Sequence, residues 1–479
     1  MAHASLIATL LDAPSPDGAD LAAIPEALEW LEVLADRVGD IDPDWLRNHF
    51  KGRLLYALRT DDGRDKHGNR AQRLQAAARY YDRVELEAAI DQELLQSIPP
   101  EQRLLSWYGH VNDLSTLTER FEQLASFPAA VYKLVTHATT IAEEFLPLTL
   151  LNSLKRDDTI AFAIGPLGFW NRILALHLGA PAIFGAAGRG SVVDMEPSIR
   201  KLIDDYGLPL VEPAKELFAI VGNPVFHSLS PRLHNASYRA MNHPALFVPL
   251  RVESFAEFWR EFVLSKRLDA FGMPINGMTV ASPHKEEAVV TAKTVSGMAR
   301  QTESANILVR NNGYWNADTT DPDVVYTASV PVKEKRAAVI GCGGAGRAIA
   351  AALVASGAGV TLINRGAERG EHAAALLGLP YIPLREFDAE GYDIVVNATP
   401  VGRDTDEVPF KLESLNDDAV IIDLVYGSRP TPLVGTTRAR RQIAIDGRDV
   451  LVTQVRRQFQ LMTGKEMSTD LARKILLQK

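Results

Sequence analysis

Along the first two hundred residues, short apolar runs of β-type residues alternate with amphipathic stretches. The runs "SLIATLL", "LEWLEVL", "RLLYALR", "RVELE", "RLLSW", "AVYKLV", "TIAFAIG" and "PAIFGA" start at residues 5, 28, 53, 83, 103, 130, 159 and 181. Successive starts lie 20 to 30 residues apart. Between the runs the period becomes helical: in "LSTLTERFEQL" the apolar Leu114, Leu117, Phe121 and Leu124 share one face. Eight strand–helix units of this length predict a (β/α)8 barrel over residues 1–207. An open parallel sheet gives similar spacing, but eight units favour closure. Barrels of this kind carry their chemistry at the carboxyl ends of the strands. There stand Glu32, Arg59, Glu87, Tyr108 and Lys133.

The pattern then changes. "LPLVEPAKE" (208–216) reads as a connector. "LFAIVG" predicts a strand, and Ser230-Pro231 opens a helix, with the serine as N-cap and the proline in the first turn. "INGMTV" is a strand that breaks at Pro283 and leads into a helix beginning near Lys285. "NILVRNNGYWNAD" predicts a hairpin turning at Asn312-Gly313, followed by a Thr/Asp-rich loop that on its own reads as solvated surface. From Arg336 the chain runs strand, glycine turn, alanine-rich helix, strand. The expected divisions are a barrel at 1–207, a linker at 208–216, a substrate-binding domain at 217–330, a dinucleotide domain at 331–440 and C-terminal helices at 441–479 that return to the substrate domain.

Composition narrows the classes. Of the 479 residues 46% are hydrophobic and 23% charged, which is typical of a globular enzyme. A net charge of -9 gives no electrostatic support for nucleic-acid binding. The single cysteine, Cys342, excludes an intrachain disulfide and fits a reducing, cytoplasmic setting. The first basic residue is Arg37 and no apolar run approaches ~20 residues, so neither a leader peptide nor a membrane span is expected. No metal site is expected. The partners expected are small molecules, with the oligomeric state open.

Several residues carry candidate chemistry. Lys133 lies inside an apolar strand, where desolvation lowers an amine pKa and suits imine formation; a lysine that snorkels to solvent is the alternative. Ser228 and Ser230 beside a helix N-terminus offer hydroxyls to an anion such as a carboxylate, although capping alone accounts for Ser230. Lys285 opposes the dipole of the helix it begins, which suggests a task, although solvated lysines are common. Gly341, Gly343 and Gly346 have the G-x-G-x-x-G spacing between strand and helix, so backbone N–H groups can meet a pyrophosphate. After the second strand, Asn364 and Arg365 replace the usual ribose-binding carboxylate, and Arg369 follows. Positive charge there suits a 2′-phosphate, hence NADP; two merely exposed arginines are the alternative.

Residues 1–207 resemble a type I 3-dehydroquinate dehydratase. The resemblance makes Lys133 the imine lysine and Glu32, Arg59 and Arg172 substrate-site residues. It also exposes departures. Leu34 stands at a substrate-binding arginine, Tyr108 at the general acid/base histidine, and "SVVDMEPS" (191–198) lacks a loop glutamine. His110 lies two residues beyond Tyr108 and would share its face if the strand ran on. Imine formation with slow or absent dehydration is therefore expected, with a barrel kept for binding or support as the other reading.

Residues from about 215 to 475 resemble shikimate dehydrogenase, through "VGNPVFHSLSPRLHN", "PHK", "SANIL", "ADTTD" and "VVNATPVG". This resemblance implies that Lys285 and Asp321 are catalytic. It makes Ser228, Ser230, Thr279, Asn306, Tyr426 and Gln454 substrate ligands. Thr279 replaces an asparagine of the family motif, and Ala281, Glu303, Ser304, Ala317, Thr319 and Pro322 are further departures. Gly341, Gly343, Gly344, Ala345, Gly346, Asn364, Arg365, Arg369, Asn397 and Thr399 would line the cofactor. The implied fold is α/β: a (β/α)8 barrel, then a two-domain shikimate dehydrogenase fold with a C-terminal Rossmann-like NADP-binding domain. The implied reaction is NADPH-dependent, reversible reduction of 3-dehydroshikimate. A quinate-type enzyme preferring NAD is the alternative.

Overall fold

Each of the eight apolar runs forms a strand. In the computed structural model, which describes residues 2–22, 24–25, 27–60, 69–188, 196–327, 330–427 and 429–477, they are β1 (Ser5–Leu10), β2 (Trp30–Leu34), β3 (Arg53–Ala57), β4 (Arg83–Glu87), β5 (Arg103–Gly109), β6 (Val131–His137), β7 (Thr159–Ile164) and β8 (Ala182–Ala186). All are parallel, and neighbours in sequence pair from β1 to β7. β8 returns to β1, so the ladder curls into the predicted barrel with its seam between β7 and β8. The interior is packed by Ile7, Leu55, Leu104, Val135, Ile160 and Phe184. Two helices matter below: α1 (Trp170–His177) and α2 (Ile199–Tyr206).

The chain divides into two units, Met1–Leu217 with Val225–Ile275, and Phe218–Pro224 with Asn276–Lys479. The first therefore holds the barrel together with α3 (Ser230–Ala240) and β10 (Ala245–Arg251). The strand between the barrel and α3, β9 (Glu216–Gly222), falls mostly in the second unit.

One buried carboxylate orders the barrel's loop after β7. Glu144 is fully buried and accepts from the Leu167 amide at 2.7 Å, from Asn171 Nδ2 at 3.1 Å and from the Trp170 indole. Burial outweighs these donors and pushes its carboxyl up to about 7 from 4.5. The folded state then holds a proton that the unfolded state releases between those values, so this contribution to stability is lost as pH rises from about 4.5 to 7. Glu144→Gln is expected to flatten the fall in Tm across that interval even though its baseline drops. An unchanged slope in a pH series of thermal melts would exclude Glu144 as its source.

The second unit contains two sheets. One has the order β9-β11-β13-β14-β12, where β11 is Ile275–Val280, β12 Thr294–Val295, β13 Ile307–Asn311 and β14 Tyr314–Asp318. The β13–β14 hairpin turns at Asn312 (φ 51°) and Gly313 (φ 82°), the two positive angles that a tight type I′ turn needs. The other sheet is parallel, in the order β17-β16-β15-β18-β19-β20, from β15 (Arg336–Ile340), β16 (Gly359–Asn364), β17 (Tyr381–Pro383), β18 (Ile394–Asn397), β19 (Val420–Asp423) and β20 (Ala444–Ile445). This is the 3-2-1-4-5-6 order of a dinucleotide fold, with its switch point between β15 and β18. Among the described residues no helix is long and apolar enough to cross a membrane.

Candidate active site

In the second unit the carboxyl ends of β11 and β14 converge with three helices: α4 (Lys285–Thr291), α5 (Gly344–Ala355) and α7 (Gly447–Thr463), α6 being Ala367–Leu377. Lys285, the first residue of α4, extends its amine to Asp321 Oδ2 at 2.7 Å. The "ADTTD" loop is not the solvated surface that its composition suggested. Asp321 is 1% exposed, because Asn306 holds the loop inward: its Oδ1 accepts from the Thr320 amide at 2.8 Å. Asp321 Oδ1 accepts from Asn306 Nδ2 at 3.0 Å and from Gln454 Nε2 at 2.8 Å. Thus Lys285, Asp321, Asn306 and Gln454 form one network. Thr279, on β11, joins it indirectly: its hydroxyl donates to Gln458 Oε1 at 3.2 Å, and Gln458 Nε2 donates to Thr320 Oγ1 at 3.1 Å.

Gln458 and Thr320 were not among the residues singled out in the sequence. The available signal was the i, i+4 spacing of Gln454 and Gln458, which puts two amides on one helix face. Arg347 was also missed. It is buried in the alanine-rich α5, donating to the Thr302 carbonyl at 2.8 Å, to Glu286 at 2.8 Å and to the Glu303 carbonyl at 3.1 Å. It thereby ties the glycine-turn helix to the segment beside Lys285.

The glycine turn follows β15. Gly341 has φ 103°, and a side chain at Gly346 would strike the Gly341 carbonyl, so both positions require glycine. Gly343 faces open space at the helix N-terminus, leaving backbone N–H groups accessible. A Cβ on Gly344 would meet Ser304 and come within 3.2 Å of Lys285 Cδ, so the turn and the lysine are immediate neighbours. Ala345 lies in the first turn of α5. Asn364 Oδ1 accepts from the Cys342 amide at 3.1 Å, bracing the turn. Arg365 and Arg369 are exposed just beyond β16. These features fit a dinucleotide whose pyrophosphate rests on the turn, with a phosphorylated ribose toward the arginines. Asn397 has its side chain fully engaged: Oδ1 accepts from the Thr399 hydroxyl at 2.6 Å and amide at 3.1 Å, and Nδ2 donates to Asp423 at 3.0 Å. It shapes the loop after β18. Tyr426 is half-buried in the loop after β19.

Ser228 and Ser230 lie in the first unit, both buried. The capping differs from the sequence expectation. Ser230 is the first residue of α3, preceded by Leu229, and makes no side-chain cap. Ser228 Oγ instead accepts the Ser230 amide at 3.2 Å, because a serine two residues upstream reaches that N–H from outside the helix.

In the barrel, Lys133 does not snorkel. It is 1% exposed, and its amine donates to Glu85 Oε2 at 2.6 Å, with Glu32 Oε1 at 3.9 Å. Glu32 accepts from Thr9 at 2.6 Å and from Arg59 at 2.9 Å. Burial lowers the Lys133 pKa, opposed by Glu85. Burial pushes Glu85 up, but the Lys133 and Arg59 cations outweigh it and keep the carboxyl below its ordinary value. The Arg172 guanidinium, from α1, packs over Phe162 at 4.3 Å, and its Nε is buried without a hydrogen-bond partner among the described residues.

Two expectations for this site change. Glu87 does not face the lysine; it accepts from the Thr60 amide and hydroxyl, both at 2.8 Å, and the carboxylate at Lys133 is Glu85, one pleat lower. His110 cannot serve Lys133: β5 ends at Gly109, and the exposed His110 ring lies 2.8 Å from the His137 carbonyl. Tyr108 does reach the cluster, and its hydroxyl donates to Glu85 Oε1 at 2.6 Å. Burial raises its pKa well above the ordinary value, so it holds its proton. Leu34 ends β2, buried. Residues 191–195 of the "SVVDMEPS" segment lie outside the described residues.

Comparison with known proteins agrees with both geometries. The shikimate dehydrogenase substrate binding domain model matches residues 220–308, the type I 3-dehydroquinase model 45–205, and a model named NADP oxidoreductase, coenzyme F420-dependent, 336–427. A bifunctional 3-dehydroquinate dehydratase/shikimate dehydrogenase of Arabidopsis thaliana is 27% identical over 81% of this chain and 68% of its own. The shikimate dehydrogenase (NADP(+)) of Syntrophobacter fumaroxidans is 32% identical over 51% of this chain and 86% of its own. The crystal structure of shikimate dehydrogenase from Aquifex aeolicus superposes with a TM-score of 0.50, at 29% identity, over 55% of this chain and 98% of that one. A lysine–aspartate pair beside a dinucleotide turn, and a third of identity across most of such relatives' length, lead to one conclusion: the chain belongs to the shikimate dehydrogenase family, with a type I 3-dehydroquinase-like barrel ahead of it.

Proposed function

We propose that the chain catalyses the reversible, NADPH-dependent reduction of 3-dehydroshikimate to shikimate. The observation that carries this reading is the pair of half-buried Lys285 and buried Asp321 next to Gly344 of the dinucleotide turn. A dinucleotide held by the 341–346 turn would supply the hydride for the C3 carbonyl carbon. Lys285 donates a proton to the carbonyl oxygen as charge develops there, and Asp321 holds the amine in line. Asn306 and Gln454 hold Asp321, while Thr279 and Tyr426 position the ring. On this reading 217–330 binds substrate, 331–440 the dinucleotide, and 441–479 returns Gln454 to the substrate domain.

Purified protein should oxidise shikimate with NADP, followed by absorbance of the reduced cofactor. Faster turnover of quinate with NAD would replace this reading with the quinate-type alternative. Arg365 and Arg369 are proposed to bind the 2′-phosphate. Neutralising both should raise KM for NADP by about tenfold or more and leave KM for NAD nearly unchanged. Equal effects on the two cofactors would remove that role.

In the barrel, the enclosed Lys133 between Glu85 and Glu32 favours a second activity, dehydration of 3-dehydroquinate through a lysine imine. Glu85 would orient the amine, which in its neutral form would attack the substrate carbonyl, and water would leave as the imine forms. Tyr108, which stands at the acid/base position, stays protonated and is a poor base for the subsequent proton transfers. Slow dehydration is the expected result.

A further inference from the structure

We infer that the first unit contains a binding site for a zwitterionic α-amino acid with an apolar side chain, formed by Arg239 and Glu212 in a cavity separate from Lys133. The cavity holds about 350 Å³, at the small end of ordinary small-molecule pockets. Its lining includes the C-terminal end of α1, the end of α2, the 208–213 segment and the C-terminal part of α3. Helices of a (β/α)8 barrel run antiparallel to its strands, so the ends of α1 and α2 lie toward the amino ends of the strands. Lys133 and its carboxylates occupy the interior of the barrel sheet. The two places are therefore distinct.

The walls are mostly apolar: Leu176, Leu208, Val211 and Leu246 face the space. Against them stand two opposite charges with no ion-pair partner among the described residues. Arg239 is half-buried near the end of α3, and burial lowers its pKa because the attraction of Glu212 and Asp205 does not offset desolvation. Asp205 is itself committed to Lys201 at 2.6 Å and Arg232 at 2.9 Å. Glu212 is half-buried on the connector and lines the same cavity. Gly207, at φ 75°, makes room for the cation: a Cβ there would lie 2.8 Å from the Arg239 guanidinium carbon.

Tyr206, 6% exposed, contributes its ring to the wall. A cation and an anion without a close ion pair among the described residues, and apolar walls within about 350 Å³, match a carboxylate, an ammonium and a leucine- or phenylalanine-sized side chain. A simple carboxylate would leave Glu212 unanswered, and a simple amine would leave Arg239 unanswered.

The test is calorimetry on the full chain with L-leucine and L-phenylalanine, against 3-phenylpropanoate, 2-phenylethylamine and glycine. At least one of the two amino acids should bind, and each control should bind about tenfold or more weaker. Arg239→Gln and Glu212→Gln should each weaken amino-acid binding by about tenfold or more. Shikimate dehydrogenation measured in the same preparations shows that the variants are folded. If one variant fails to fold, Arg239→Lys and Glu212→Asp carry the test, with weakened binding expected of both. Binding of 3-phenylpropanoate as tight as that of phenylalanine would overturn the assignment. So would binding that shikimate displaces and Arg239→Gln leaves intact, or no binding of either amino acid at about 10 mM, the weak limit for a specific site.

Discussion

Lys285→Ala should lower kcat for shikimate oxidation by about 10²-fold or more while the Kd for NADP stays nearly constant. Lys285 Nζ pairs only with Asp321 among the described residues, and that carboxylate is 1% exposed. The pair is placed to move a proton at the substrate oxygen, and no other amine in the network can replace it. Its neighbours Asn306 and Gln454 donate to Asp321, so after truncation they keep the carboxylate hydrogen-bonded and the fold intact. The dinucleotide turn lies against Lys285 Cδ but is built by Gly341, Gly346 and Asn364, none of which the substitution touches. Cofactor affinity and turnover should thus separate. Steady-state rates with fluorescence titration of NADPH provide both quantities, and turnover within about threefold of the parent would take Lys285 out of the reaction.

The second large effect is expected in the barrel. Tyr108→His should raise 3-dehydroquinate dehydration by about 10²-fold or more, the usual worth of a well-placed acid/base group. Tyr108 Oη already contacts Glu85, which contacts Lys133, so an imidazole there would complete a relay within one cluster. Histidine titrates near neutrality, whereas burial holds the phenol protonated. Borohydride reduction in the presence of 3-dehydroquinate should label Lys133 in both parent and variant, and Lys133→Met should abolish the label. If the parent already turns over as fast as the variant, proton transfer runs through another residue. If no label forms, the barrel serves binding or support. Glu85→Ala should be far more damaging to stability than Tyr108→His, because it strands a buried ammonium, a loss of roughly 3–5 kcal/mol in comparable pairs.

Much of the architecture was legible from local pattern. The eight apolar runs became eight strands because a strand buried on both faces needs a short apolar run, and helices between parallel strands impose a near-constant interval. Asn312-Gly313 and the 341–346 glycines were legible because positive φ and close backbone approach admit few residue types. Lys133, Lys285 and Asp321 stood out through motif resemblance, and for Lys133 also through a charge in an apolar run.

Contacts across long stretches of chain were another matter. Glu85 meets Lys133 across 48 positions, and Gln454 meets Asp321 across 133. Period-two alternation puts Glu85 and Glu87 on the same face of β4, so periodicity cannot say which of them reaches the lysine; the stagger of neighbouring strands decides. The Thr/Asp-rich loop looked like solvated surface because its composition is polar. Tertiary structure buries it, since Asn306, Gln454 and Gln458 arrive from other elements with the donors that make burial tolerable. Local sequence by itself determined which segments are strands, turns and helices, because those depend on neighbours a few residues away. Only the packing of distant elements decided which polar groups meet, which carboxylates stay ionised and which charges are left for a ligand.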